Sequence, residues 1–347
     1  MSNLSLLLPA LIAGLAASRA FARRGASTTG SAPVVPRSKL VSLGHNHGDP
    51  ELTVLRGAVT GKNWGGVAAV LGPVRERGDH NRLVWLIGCI DELGGDFLLE
   101  IGRTRAEDPL ARTVCGARHV TWAWEARSSA RAAQVSREQF DLFHQRLHLA
   151  EEHLYAAVEL DPDSAAPWSY LVTTSRGLEH GHDVTRRRFE AGHRRAPGEP
   201  QIHEAMLQQV CAKWSGSHEQ MHGFAREALA QAPAGSNLGA LTATAHIERW
   251  LDLPRGEDTA YMARPEVAEE LRQAAARSVL HPDYAPTESP YPALNAFAMA
   301  FWLAGDQVSA RKMFERIGDH ATASPWDYYG DPAGMFVNAR QQCKKAK

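Results

Sequence analysis

The chain has 347 residues, 44% of them hydrophobic, and its 38 basic residues nearly balance its 39 acidic ones. Such a composition supports a sizeable core but argues against a nucleic-acid partner, because phosphate neutralisation needs a clustered excess of lysine and arginine. No C-x-x-C pair is formed by the four cysteines, which predicts reduced thiols in a cytoplasmic protein rather than a zinc ribbon or a redox dithiol. These cysteines are Cys89, Cys115, Cys211 and Cys343.

Residues 1–24 form a short apolar amino-terminal segment. Residues 4–17 are almost wholly apolar, and three arginines follow them. This run is shorter than the roughly 20 residues that span a bilayer, and its positive charge follows the apolar run instead of preceding it as in a secretory signal. Two alternatives stay open: membrane contact through residues 4–17, which would tether a cytoplasmic body to the inner face, or a segment that is docked on the domain or disordered.

Residues 25–49 are rich in Gly, Ser, Thr and Pro and predict a flexible linker. An amino-terminal helical region, residues 50–135, is expected after it. Asp49 followed by Pro50 is typical of a helix start, and Gly61 predicts the end of that first helix. Asp79 is expected to cap a later helix of the same region.

Residues 136–347 carry a repeating helical pattern. A capping box at Ser136 to Gln139 opens a long helix. Three prolines, Pro162, Pro197 and Pro233, each follow a helix-like run and are 35 and 36 residues apart. Regular punctuation near 34 residues predicts stacked helix-turn-helix units.

The residues between these prolines resemble the tetratricopeptide repeat. Ala157 to Trp168 follows its Ala…Pro…Trp spacing, and Phe301 to Phe314 reproduces its aromatic, Gly-Asp turn and Ala-x3-Phe elements. This resemblance covers roughly residues 150–320. It implies an all-α fold, a tetratricopeptide-like helical-hairpin solenoid with a carboxy-terminal capping helix.

A second likeness lies at Lys213-Trp214-Ser215-Gly216-Ser217. It resembles a bacterial family of helical-repeat proteins with an uncharacterised domain, in which a Lys/Arg-Trp-Gly-Gly-Ser turn joins two helices. Gly216 suits such a tight turn. The resemblance supports a helical fold and implies no activity.

The repeat resemblance implies a groove on the first helices of the units. We therefore expect a non-enzymatic interaction scaffold that holds a protein or peptide partner of unknown identity. The side chains expected to line this groove are polar or aromatic. They are Ser169, Thr173, Arg176, Glu204, Gln208, Asn295, Met299 and Trp302.

An H-E-x-x-H match at His218, Glu219 and His222 supplies an alternative function. Two histidines four residues apart share a helix face and can bind one Zn²⁺, while the glutamate activates water. Glu248 is a conceivable third ligand. A solvated first helical turn explains the same residues, so a zinc-dependent hydrolase is the alternative to the scaffold.

The remaining motifs do not favour other chemistry. The sequence has neither a phosphate-binding P-loop nor a G-x-G-x-x-G or G-x-S-x-G pattern, so we expect no cofactor. The basic run Arg186 to Arg188 predicts an exposed helix face.

Overall fold

The computed structural model describes residue 43 and residues 48–127, 136–214 and 216–344. Within them the chain forms 16 α-helices and no strand, which confirms the all-α class. The apolar segment 1–24 and most of the linker 25–49 lie outside the described residues. No helix of the described part is long and apolar enough to cross a bilayer.

The described residues fall into two units, and the first comprises residues 48–217 with 286–289. Its helices follow one another with short connections. They are α1 (Pro50–Thr60), α2 (Trp64–Glu76), α3 (His80–Gly88), α4 (Asp96–Thr104), α5 (Pro109–Arg127), α6 (Arg137–Leu160), α7 (Ala166–Gly177), α8 (His182–Arg195) and α9 (Pro200–Gln209).

The second unit comprises residues 218–285 and 290–344. Its core contains the fully buried rings of Phe297, Phe301, Trp326 and Phe336. The helices around this core are α10 (His218–Gln231), α11 (Ala240–Asp252), α12 (Glu257–Met262), α13 (Pro265–Arg277), α14 (Tyr291–Leu303), α15 (Gln307–Ile317) and α16 (Pro332–Lys344).

The two units divide the chain at a different place from the expected boundary between residues 135 and 136. That position lies inside the first unit, because α5 packs along α6. The division falls instead between residues 217 and 218, directly after the turn that contains Gly216. A Cβ atom at Gly216 would collide with the carbonyl oxygen of Val210, so only glycine fits this turn.

Local sequence signals define the helix ends. The Asp49 Oδ1 atom accepts a hydrogen bond from the Leu52 amide at 2.8 Å, and α1 ends at the Gly61 cap. Asp79 caps α3, and the capping box at Ser136 opens α6. The three regularly spaced prolines follow α6, α8 and α10. The predicted caps are therefore confirmed. Asp49, Asp79 and Ser136 accept from amide groups that the first turn of a helix leaves unpaired, and the Gly61 amide donates to the Gly57 carbonyl oxygen at the end of α1.

One helix in each unit is buried nearly all round. In the first unit α7 packs against α3, α5, α6, α8 and α9. In the second unit α14 packs against α11, α13, α15 and α16. Every residue of α7 except Trp168 is buried, so the polar side chains on it must find partners inside the protein.

The basic run on α8 is not uniformly exposed. Arg186 and Arg187 face solvent, as expected, but Arg188 is buried. The Arg188 guanidinium lies 2.6 Å from the Glu151 carboxylate of α6. It also donates to the Leu171 carbonyl oxygen of α7. The expectation of an exposed face was therefore wrong for Arg188, because this side chain satisfies polar groups of the central helix.

Buried His203 makes the stability of the first unit depend on pH. It lies on α9, is 1% exposed, and its Nδ1 atom donates to the Glu199 carbonyl oxygen at 2.7 Å. Burial lowers the pKa of His203 to about 4. Below its ordinary pKa near 6.5 the unfolded chain takes up a proton that the folded protein refuses, so stability falls as the pH drops from about 6.5 to 4.

We expect this loss to disappear in His203→Gln, which cannot titrate. Between pH 7 and pH 4.5, wild type should lose about 2–3 kcal/mol more unfolding free energy than the variant. Urea unfolding followed by circular dichroism at both pH values measures the difference. Equal pH dependence of the two proteins would contradict it.

Candidate metal centre

The second unit contains an open cavity of about 500 Å³. Helix α11 packs against α10, α12 and α13, and side chains from all four helices line the space between them. Most of these side chains are titratable. The lining residues are His218, Glu219, His222, Arg226, His246, Arg249, Tyr261, Arg264, Glu266, Val267 and Glu270.

Three of these side chains converge in a geometry that suits a metal ion. His222 on α10, His246 on α11 and Glu270 on α13 each offer one ligand atom, and these atoms lie within 4.8 Å of one another. The two imidazole centroids are 4.7 Å apart. His246 is 2% exposed, whereas His222 and Glu270 are half-buried at the edge of the cavity. The group is thus anchored in the core and open on one side.

A chain of hydrogen bonds orders the three side chains. The Nε2 atom of His246 lies 3.2 Å from the Glu270 Oε2 atom, and its Nδ1 atom lies 2.6 Å from the Tyr261 hydroxyl. The same hydroxyl is 3.3 Å from the Nε2 atom of His222. Because the Glu270 carboxylate only accepts, Nε2 of His246 carries a proton and Nδ1 accepts from Tyr261. His222 then donates to the Tyr261 oxygen, which completes the chain.

The surroundings set the protonation state of each group. The hydrogen bond from His246 holds the pKa of Glu270 down to about 2. Burial, helped by the neighbouring His246, lowers the pKa of His222 to about 4, and burial raises the pKa of Tyr261 to about 12. At neutral pH the carboxylate is therefore ionised and the imidazole of His222 is neutral. These are the forms in which both residues bind metals.

The donor set fits Zn²⁺, and so does the distance between two of its ligand atoms. Two ligands bonded at about 2.0–2.1 Å around a tetrahedral ion lie roughly 3.3 Å apart, close to the 3.2 Å between His246 and Glu270. An ion bound there would take the place of the proton on Nε2 of His246, and the imidazole would then carry its proton on Nδ1 and donate it to the Tyr261 oxygen. Arg226 holds the other carboxylate oxygen of Glu270 at 3.2 Å, which is the outer-shell support that such ligands usually have.

This geometry changes the prediction made from the H-E-x-x-H match. Of its two histidines only His222 belongs to the three-ligand group, whereas His218 pairs with Asp252 at 2.9 Å. Glu219 lines the cavity and is exposed. Glu248 does not line the cavity. It is buried two residues after His246, and positions two apart on a helix point to different sides.

The sequence analysis did not identify the residues that complete the three-ligand group. His246, Tyr261 and Glu270 come from separate helices, and no fixed spacing connects them to His222. Tyr261 lies on the short helix α12, for which the sequence analysis gave no prediction. A histidine buried among apolar residues of α11 is the one local signal that could have drawn attention to this region.

The groove residues of the first unit lie mostly inside it. Ser169, Thr173 and Arg176 are buried on the central helix α7, and Gln208 is buried on α9. Ser169 donates to the Glu199 carboxylate at 2.8 Å, and Arg176 donates to the Ala205 carbonyl oxygen. Only Glu204 of this set is exposed. The central position of α7 explains the difference, because its neighbours cover the face that the repeat register assigned to a groove.

The groove residues of the second unit follow the same pattern. Asn295 and Met299 are fully buried on α14. The Asn295 amide donates to the Tyr291 carbonyl oxygen and accepts from the indole of Trp326. Trp302 is half-buried and donates to Gln342. These side chains hold the interior of the unit together.

Neither a comparison with known family models nor a search of curated proteins finds a match to this chain. The tetratricopeptide-like pattern and the turn at Lys213 and Trp214 therefore depend on the sequence alone. In the structure Trp214 ends a short 3₁₀ helix and packs edge-on against Trp124 at 6.0 Å.

Proposed function

We propose that this protein is a metal-dependent hydrolase whose Zn²⁺ is held by His222, His246 and Glu270. The observation that carries the proposal is the convergence of the three ligand atoms within 4.8 Å at the wall of an open cavity. Catalytic zinc sites typically use three protein ligands and keep a fourth position for water or substrate. The half-buried placement of His222 and Glu270 supports such an open site.

When bound, Zn²⁺ would polarise a substrate carbonyl or phosphoryl oxygen and lower the pKa of a coordinated water. The chain itself supplies the proton acceptor. Glu219 precedes His222 by three residues, which places both on one face of α10, and both line the cavity. Tyr261 keeps both imidazoles oriented through its hydroxyl. The guanidinium groups of Arg249 and Arg264 lie over the Tyr261 ring and bring positive charge to the cavity wall.

Replacing Glu219 with glutamine tests this assignment. We expect Glu219→Gln to keep about one equivalent of zinc and to lose a factor of roughly 10²–10⁴ in kcat, the usual contribution of a general base. Metal content is measured by elemental analysis of protein purified without a histidine tag. Activity is measured on a panel of peptide, ester and phosphoester substrates.

Glu266→Gln is the matched control, because Glu266 lines the same cavity but lies outside the H-E-x-x-H match. It should leave zinc content unchanged and kcat within a factor of about 3. Wild-type protein with less than about a tenth of an equivalent of metal would end the proposal. Equal activity of Glu219→Gln and wild type would remove the general-base role.

The tetratricopeptide-like solenoid and a scaffold role form a second proposal. Its support is the packing of consecutive helices, α7 with α8 and α14 with α15, together with the regular prolines. The exposed Glu204 and the half-buried Trp302 are the groove positions left for a partner to contact. Pull-downs with Glu204→Lys and, separately, Trp302→Ala test each position. A partner list unchanged from wild type would remove that position from the proposal.

A tether of a cytoplasmic body through residues 4–17 also stays a proposal. Cell fractionation of the full chain and of a chain without residues 1–24 tests it. Membrane association that depends on these residues is the expected result, whereas a wild-type protein found only in the soluble fraction would exclude a stable tether.

A further inference from the structure

The first unit contains a second group of ligand-type side chains. Cys115 and His119 lie on α5 and His153 lies on α6, and one ligand atom of each falls within 4.8 Å of the others. All three residues are buried, with exposures of 0%, 7% and 8%. This group belongs to a different unit from the candidate zinc centre, which is formed by His222, His246 and Glu270, and shares no residue with it.

Helix geometry and one glycine bring the group together. Cys115 and His119 are four residues apart and therefore share a face of α5. The two imidazole rings stack with centroids 5.7 Å apart. A Cβ atom at Gly102 of α4 would overlap the Cys115 sulfur and lie 3.2 Å from the His153 ring. Only glycine lets α4 approach this closely and close the group on that side.

One ring nitrogen in the group is buried without a hydrogen-bond partner. In the described part of the chain nothing pairs with Nδ1 of His119. A buried polar atom left in this state costs about 1–3 kcal/mol. The Cys115 thiol makes a long contact of 3.7 Å to the Leu99 carbonyl oxygen. A bound metal ion, which accepts electron pairs, would give a bonding partner to both the His119 nitrogen and the Cys115 sulfur.

The charges around the group decide which ion it suits. Arg112 donates to Nδ1 of His153 at 3.0 Å. Arg118 and Arg146 bring further positive charge near His119, and the Glu125 carboxylate, 2.9 Å from Arg118, offsets part of it. The one anionic ligand that the group can offer is the Cys115 thiolate. A dication would leave net positive charge buried among these arginines, whereas a monovalent ion leaves the thiolate–ion pair neutral.

We propose that Cys115, His119 and His153 form a buried binding site for Cu(I). The thiolate is a soft ligand of the kind that both Cu(I) and Zn²⁺ take, and imidazole suits copper as well. The single negative charge among the three ligands then favours the monovalent ion. Binding breaks the S–H bond, forms a sulfur–copper bond and releases the thiol proton to solvent, with no change in oxidation state. A neutral imidazole that binds copper through one nitrogen carries its proton on the other. Nδ1 of His153 then either binds the copper or holds that proton, and in both cases it no longer accepts the hydrogen bond from Arg112.

Competition for Cu(I) in the absence of oxygen tests the proposal. The full-length, tag-free protein is titrated with Cu(I) in the presence of a coloured Cu(I) chelator. Wild type is expected to withhold about one equivalent of copper. Cys115→Ala is expected to bind it at least about 100-fold more weakly, since it removes the only anionic ligand. X-ray absorption of the wild-type complex should show one sulfur and two nitrogen neighbours.

Two control variants distinguish copper binding at this group from copper binding elsewhere in the protein. Cys89→Ala removes another buried cysteine and should bind Cu(I) like wild type. His222→Ala should also bind it like wild type, because this site does not depend on the candidate zinc centre. If circular dichroism shows that Cys115→Ala does not fold, His153→Gln serves as the second ligand variant, with the same expected loss.

Three results would overturn the proposal. The first is wild-type protein that withholds no copper, and the second is equal loss in Cys89→Ala and Cys115→Ala. The third is retention of Zn²⁺ instead of Cu(I) in a Cys115-dependent manner, which would show that the arginines do not exclude a dication.

Discussion

Glu270→Gln is expected to weaken Zn²⁺ binding by more than about 100-fold, because loss of even an outer-shell partner typically costs 10- to 100-fold. The substitution keeps the shape of the side chain but removes the negative charge that lies 3.2 Å from both His246 and Arg226. Binding is measured by competition with a zinc chelator of known affinity. Tyr261→Phe should cost about 10- to 100-fold, since it only removes the hydroxyl that orients the two imidazoles.

The adjacent residue supplies the control for Glu270. Glu269 lies on the same helix but is exposed, and it pairs with Arg272. Glu269→Gln should therefore leave zinc affinity unchanged within a factor of about 2, as expected for a surface substitution away from the ligands. Equal affinities of the two glutamine variants would show that Glu270 is not a ligand.

Arg188→Met is expected to lower the unfolding free energy by about 3–5 kcal/mol, because it leaves a largely buried carboxylate without its cation. The Arg188 and Glu151 side chains are 7% and 14% exposed and lie 2.6 Å apart. Arg188 also donates to the hydroxyl groups of Thr174 and Ser175 on α7. One substitution thus removes a partner from groups on α6 and α7 together. Urea unfolding followed by circular dichroism measures the loss.

Arg186→Met is the matched control two residues away. Arg186 is exposed and pairs with Glu190 one turn later, so its loss should change stability by less than about 0.5 kcal/mol. The double variant Arg188→Met with Glu151→Gln should recover part of the loss, since no unpaired charge remains. Similar destabilisation by the two arginine variants would contradict the buried-network account.

The helix boundaries could be predicted because their causes are local. An aspartate or serine that caps a helix lies within three residues of the amide it satisfies, as Asp49 and Ser136 do. Sequence reasoning recognises such pairs without knowing the fold. The all-α class follows from the same signals repeated along the chain.

The interior faces could not be predicted, because they depend on which helices become neighbours. The repeat pattern placed Ser169 and Thr173 on a groove, yet α7 is covered by five other helices. The sequence of helix α14 does indicate that this helix is buried. Apart from Asn295 it is apolar on all sides from Tyr291 to Leu303, and a helix of that kind is normally buried.

Only one residue of the candidate metal group, His222, could be predicted from the sequence, for a related reason. The spacing of His218 and His222 predicts a shared helix face. In the structure His218 pairs with Asp252 instead, and His222 is grouped with His246 and Glu270 from two other helices. Glu270 lies 48 residues after His222, as their numbers show. No pattern within one helix contains that information.

The hydrogen-bond chain from His222 through Tyr261 and His246 to Glu270 has a consequence for how a metal enters and leaves. Because these groups already satisfy one another without an ion, α10, α11 and α13 should keep their arrangement when the metal is extracted. Many small zinc domains, by contrast, collapse when stripped of their ion. Metal binding and release would then be reversible without a change of fold, and a chelator would abolish the proposed activity without unfolding the protein.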